Sequence, residues 1–157
     1  MTTENKHKLT LQRTDSADPD FRVLEPQLDA ELAIRDGDDK DFYAQYNKSD
    51  TIRHIIVAYL DDVAAGCGAY KEYDGGTVEI KRMYVLPEYR SRGIAVKVLE
   101  ELEDWARETG YKACILETGK KQPEAIALYH KMGYHLIPNY GQYAGVDNSV
   151  CMQKSIA

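Results

Sequence analysis

Apolar residues follow two rhythms along this chain. Between Ile52 and Val85 they alternate or cluster in β-branched runs; on either side they recur every three or four positions. Leu9 to Arg13 alternates and predicts a short strand. Phe21, Leu24, Leu28, Leu32 and Ile34 predict a helix over Asp18 to Asp36, interrupted near Pro26, whose ring removes an amide donor. Asp36 to Asp39 (DGDD) predicts a turn. Phe42, Tyr43 and Tyr46 predict a second, short helix that ends near Asn47. Three strands follow, Ile52 to Leu60, Val63 to Glu72 and Thr77 to Val85. The turn signals Asp61-Asp62 and YDGG (Tyr73 to Gly76) join them into an antiparallel meander.

Past Val85 the period changes. Ala95, Val98, Leu99, Leu102, Trp105 and Ala106 predict an amphipathic helix that Gly110 ends. Lys112 to Glu117 is short and mostly apolar, as strands inside a sheet are. Strand, helix, strand in that order implies a right-handed parallel crossover. Pro123 opens another helix at its favoured first position, with Ala125, Leu128, Tyr129 and Met132 on the apolar face and Gly133 as its stop. Tyr134 to Ile137 and Ser149 to Gln153 complete the strands, with a turn-rich loop between them. The expectation is a single α/β domain over residues 1–157. Its mixed sheet has about seven strands, an antiparallel N-terminal meander and a central parallel pair, with about four helices.

Length and composition fit that picture: 157 residues, 43% hydrophobic, 29% charged. The formal net charge of -6 argues against nucleic acid, which calls for a basic face. It suits a neutral or cationic small substrate, and it also serves solubility alone. Cys67, Cys114 and Cys151 are far apart, odd in number and without a C-x-x-C, so free buried thiols in a reducing cytoplasm are expected. The opening MTTENKHK has no apolar core of a signal peptide, and no run is long enough to span a membrane. No metal site is expected.

The junction VLPEYRSRGIAVKVLEEL (Val85 to Leu102) joins a strand to a helix through two arginines and a glycine. The first amides of a helix lack partners and carry the positive end of its dipole, so they bind anions such as phosphate. Gly93 keeps the backbone bare, and Arg90 and Arg92 add charge. Arg90, Ser91, Arg92, Gly93, Ile94 and Ala95 are therefore a candidate pyrophosphate cradle. Other phosphate loops are excluded: no G-x-x-x-x-G-K-[ST] occurs, and Gly66-Cys-Gly68 lies in a strand with Lys71 where a third glycine belongs.

YRSRGIA after VEIKRMYVLPE resembles the acetyl-CoA signature of the GNAT superfamily of N-acetyltransferases. Arg90, Gly93 and Ala95 meet its pattern. QPEAIALYHKMGY is similar to a second family stretch at Ala125, Leu128, Tyr129, Gly133 and Tyr134, with Gln122 in place of the usual Asn. The resemblance covers residues 50 to 157 well and the first 50 in pattern only. It implies a bulge in the third meander strand and a splay between that strand and its parallel neighbour. Met83, Tyr84 and Val85 would meet the pantetheine arm of acetyl-CoA there, and Gln122 would lie near it.

The resemblance also implies roles. Tyr129 would be the general acid that protonates the departing thiolate; the plainer role is a core tyrosine. Glu79 would be the general base, or else a solvated strand glutamate paired with Lys81. Period two puts Glu79, Lys81, Met83 and Val85 on one face. His54 is a second candidate base, and His130 is expected on an exposed helix face. Phe42, Tyr43, Tyr46, Tyr140 and Tyr143 would build the acceptor pocket. Acidic residues of the first helices and Asp61 and Asp62 would attract an ammonium group or merely hydrate the surface. The function implied is acetyl transfer to a primary amine of a small molecule by direct attack in a ternary complex. The alternatives are protein acetylation at a lysine or an N-terminus, and a non-catalytic acyl-CoA-binding module. Family likeness adds a homodimer as the assembly implied.

Overall fold

The computed structural model describes residues 8–157, so nearly all of the polar opening segment lies outside the described residues. Seven strands form one sheet in the order β1-β2-β3-β4-β5-β7-β6. They are β1 (Leu9–Thr14), β2 (His54–Leu60), β3 (Val63–Asp74), β4 (Thr77–Val85), β5 (Ala113–Gly119), β6 (His135–Ile137) and β7 (Ser149–Ser155). Four α-helices accompany them: α1 (Pro19–Asp36), α2 (Lys40–Ala44), α3 (Ile94–Glu108) and α4 (Pro123–Lys131). Elements and order agree with the sequence pattern, and boundaries move by a few residues.

Local chemistry explains the joints. Asp18 caps α1 by accepting from the amides of Asp20 and Phe21. Asp61 and Asp62 both take positive φ, the geometry of a two-residue hairpin turn between β2 and β3. Gly110 and Gly133, both at φ +95, follow α3 and α4.

One expected break is absent. Helix α1 runs through Pro26 without interruption. Pro26 and Arg22, whose carbonyl loses its partner, are both on the exposed face, so water replaces the missing bond.

The two faces of the sheet carry separate cores. Helix α3 buries Val98, Leu99 and Leu102 completely against Ile56, Val78 and Ile80. Each such side chain contributes about 1.5–3 kcal/mol by leaving water. On the other face Phe21, Leu24 and Leu28 of α1 cover Ile55, Val57, Cys67 and Tyr84. Cys67, Cys114 and Cys151 are free and buried, as expected.

Two irregularities create the space for a site. Strands β4 and β5 pair in parallel only at Thr77–Ala113, Val78–Cys114 and Glu79–Ile115. Beyond Glu79 no pairing joins them, although both strands continue. In addition, β4 bulges opposite Gly68, where the register with β3 shifts between Cys67 and Ala69. Arg82 takes φ +57 there, a conformation costing a side-chain-bearing residue about 1–2 kcal/mol.

The bulge corrects the expected facing of β4. Glu79, Lys81 and Arg82 face α1, whereas Met83 and Val85 turn to the α3 side and pack into its core. An extra residue reverses the alternation for everything after it. Glycines at 66 and 68 permit this crowding. A Cβ on Gly68 would sit 2.5 Å from the Met83 sulfur and 2.7 Å from Val98, and one on Gly66 would sit 2.8 Å from the Tyr84 carbonyl oxygen.

Candidate active site

A groove of about 600 Å³ opens where β4 leaves β5. Met83, Tyr84, Val85, Arg90, Ser91, Gly93, Ile94 and Ala95 line it, so most of the expected donor-binding residues come together. Ser91 at φ +64 and Gly93 at φ +79 curl the backbone ahead of α3. No side chain caps α3, which leaves its first amides open to an anion. Empty space surrounds the position of a Cβ on Gly93, so its positive φ is what demands glycine here. These features fit a pyrophosphate followed by an extended arm.

Both arginines have other work in the described structure. Arg90 donates through Nε to the Val85 carbonyl (2.8 Å) and through Nη2 to Glu31 (2.8 Å), which ties the loop to β4 and α1. Exposed Arg92 lies over the Tyr89 ring at 5.7 Å and does not line the groove. Gln122 also falls elsewhere: it borders a neighbouring cavity, not the groove.

That second cavity, about 120 Å³, lies between α1, α2, β4, β5 and the turn at Gly141–Tyr143. Tyr43 and Tyr143 form part of its wall with rings stacked at 6.4 Å. Phe42 and Tyr140 stand behind them, edge-on to Tyr43 at 5.2 Å and to Tyr143 at 5.8 Å. Tyr46 packs edge-on against Phe42 and Tyr143, and its carbonyl accepts from Lys81.

Glu79, only 4% exposed, lines the cavity but is heavily engaged. Its Oε2 accepts from the Tyr140 hydroxyl at 2.7 Å, and Lys71 and Lys81 each lie 3.8 Å from Oε1. Arg82 is held by Asp29 (2.5 Å) and Glu25 (3.5 Å) of α1.

Sequence reasoning missed Glu117 on β5. Its Oε2 is buried without a hydrogen-bond partner among the described residues. Burial, the main cause, together with the charge of Asp36, pushes its carboxyl from an ordinary 4.5 up to about 7, with Ser149 opposing the rise. The one available signal was a carboxylate inside the apolar run CILETG of a central strand.

Tyr129 of α4 occupies the junction. Met83, Ala125 and Tyr129 line both the groove and the cavity, and no other described residue lines both. No described residue hydrogen-bonds the Tyr129 hydroxyl, whose pKa is raised by burial and then by Glu117. The site thus offers a proton donor between two spaces and a carboxylate of near-neutral pKa in one of them.

The described histidines His54 and His130 contribute nothing to this constellation. His54 stacks on Tyr70 at 4.5 Å, meets Trp105 edge-on and has its pKa lowered by burial, away from both spaces. His130 is exposed, as expected. Asp61 and Asp62 build a turn and line neither space.

Known proteins share this architecture. A family model described as Acetyltransferase (GNAT) family matches residues 15–134. An IAA acetyltransferase of Azospirillum brasilense is 39% identical over 103 residues, covering 65% of this chain and 67% of the relative. The uncharacterized N-acetyltransferase YjgM of Escherichia coli is 31% identical over 144 residues, covering 90% and 79%. Among solved structures, one from Klebsiella pneumoniae, described provisionally as an acyl-CoA N-acyltransferase, superposes with a TM-score of 0.77 at 28% identity, covering 95% of this chain and 98% of that one. A GNAT family acetyltransferase from Elizabethkingia anophelis with acetyl-CoA bound shares the fold at a TM-score of 0.67 and 18% identity, covering 94% and 97%. The chain therefore belongs to the acetyltransferase (GNAT) family and is an N-acetyltransferase whose acyl donor is acetyl-CoA.

Proposed function

We propose that this chain, acting as one domain, acetylates a primary amine of a small molecule, with Glu117 as general base and Tyr129 as general acid. The observation that carries the reading is the meeting of two unlike spaces at Tyr129. One is a long groove with free helix amides; the other is a narrow, carboxylate-lined cavity of about 120 Å³.

Acetyl-CoA, when bound, supplies a thioester carbonyl for the amine to attack and a thiolate that departs. The α3 amides and the Ser91–Gly93 turn would hold its pyrophosphate, with Met83, Tyr84 and Val85 along its arm. Arg90 holds the loop in shape through Glu31 and the Val85 carbonyl. An ammonium has no lone pair, so the amine must first lose a proton. Unpartnered Oε2 of Glu117, with a pKa near the working pH, is suited to take it. Burial that raises the Tyr129 pKa keeps its hydroxyl protonated, ready to donate at the leaving sulfur. Glu79 instead orders the wall through Tyr140 and Lys81, from a buried position and not the solvated one of its plainer expected role.

The size of the cavity and the closure of its wall by Tyr143 support a small acceptor over a protein chain. The test is thiol release from acetyl-CoA with a panel of small amines and lysine-bearing or free-N-terminal peptides. Turnover of small amines is expected. Turnover of peptides alone would overturn the acceptor class, and CoA binding without any turnover would make the chain a binding module.

A further inference from the structure

The charged groups around the acceptor cavity do not balance. Lys81 is engaged by Glu79 and the Tyr46 carbonyl, and Arg82 donates to Asp29, while its Nε lies 3.5 Å from Glu25 with no hydrogen-bond partner among the described residues. Two carboxylates of the cavity wall have no ion pair with any described residue. One is Glu117, with its buried, unpartnered Oε2. The other is Asp36 at the last turn of α1, only 6% exposed and with no hydrogen bond or ion pair to any described residue.

Asp36 lies where the cavity continues into a second hollow of about 360 Å³; the two spaces share Leu32, Asp36 and Asn47. Burial and then the charge of Asp39 push the Asp36 carboxyl up, and Lys121 only partly offsets them. A carboxylate so placed gains most from a cation that enters the cavity. In the second hollow, Asp29 is committed to Arg82, Glu25 lies 3.5 Å from the same guanidinium, and Lys40 and Lys48 are exposed at the edge.

Resting on the small-amine reading above, we infer that the acceptor is a short aliphatic diamine. One amine meets Glu117 beside Tyr129, while the second stays an ammonium held by Asp36, with Leu32 against the methylenes between them. A monoamine leaves Asp36 unpaired.

Calorimetric titration of the full chain with putrescine, cadaverine, butylamine and alanine tests this directly, alongside thiol release with the same amines. Diamines should bind on the order of tenfold or more tighter than butylamine, the scale of one charged hydrogen bond. Asp36→Asn should shrink that ratio towards one, and Asp36→Glu should restore much of it. Equal binding of butylamine and putrescine, or a preference that survives Asp36→Asn, would overturn the inference. If amines are acetylated without diamine preference, the acetyl-transfer reading stands and this one falls. Asp36-dependent diamine binding with no transfer to any amine would remove the acetyl-transfer reading, and with it the diamine's role as acceptor.

Discussion

Replacing Glu117 by Gln separates what the residue does for activity from what it costs the fold. The native site favours the neutral acid, since burial lifts the carboxyl from 4.5 to about 7. A group raised on folding stabilises the protein fully below its unfolded pKa, and that contribution is lost as pH climbs through the folded value. The shift corresponds to about 3 kcal/mol at about 1.4 kcal/mol per pH unit. Solvent at the cavity mouth and the extra donors of an amide reduce the expected gain to about 2 kcal/mol. Glu117→Gln should therefore be more stable than the native chain at pH 8 by about that amount. The gap should shrink to about half by pH 5.5 and vanish below about pH 4.5. Urea unfolding at several pH values measures it.

Activity should move the other way. Native kcat/KM should rise about tenfold per pH unit up to about pH 7 and then level off, because the base must be ionised. The Gln variant should lose on the order of a hundredfold and that acid limb with it. A limb that survives Glu117→Gln but disappears in Glu79→Gln would transfer the role to Glu79. A variant less stable than the native chain at pH 8 would refute the burial argument itself.

Three further outcomes follow from the geometry. Tyr129→Phe should lower kcat by at least about tenfold with little change in acetyl-CoA affinity, measured by steady-state kinetics and calorimetry; an unchanged kcat removes its acid role. Gly93→Glu puts a side chain and a negative charge at φ +79, where the α3 amides open; acetyl-CoA affinity should fall at least about tenfold, and normal affinity would sink the cradle. Gly68→Ala should cost about 1–3 kcal/mol in urea unfolding, because the new methyl meets Met83, Val98 and Leu102 within 3 Å; a neutral result would mean that α3 shifts freely.

The backbone part of the proposed donor site was legible because it depends on local chemistry, whereas Arg92 and Gln122 fall outside the groove. A glycine with positive φ and an uncapped helix leave marks within a few residues of each other. The acceptor half depends on pairings between distant segments. Nothing near Glu79 in sequence says that Tyr140 donates to it, or that Asp36 and Glu117 share one cavity. Strict alternation also misplaced Met83 and Val85, because a bulge is invisible to a period of two. Apart from the family resemblance, its trace in the sequence is the small pair Gly66 and Gly68 on the facing strand, which make room for it. Proline at position 26 misled for the opposite reason: its local rule holds, but solvent supplies the missing partner.

The junction of only Met83, Ala125 and Tyr129 between groove and cavity has an evolutionary consequence. Substitutions at Leu32, Asp36, Tyr43 or Tyr143 would alter the cavity proposed for the acceptor without changing a residue that lines the groove proposed for the donor. Selection can thus retarget the enzyme to a new amine while its thioester chemistry stays fixed. That separability makes the scaffold readily diversified, and it puts the record of each specialisation in the first helices and the late tyrosine loop.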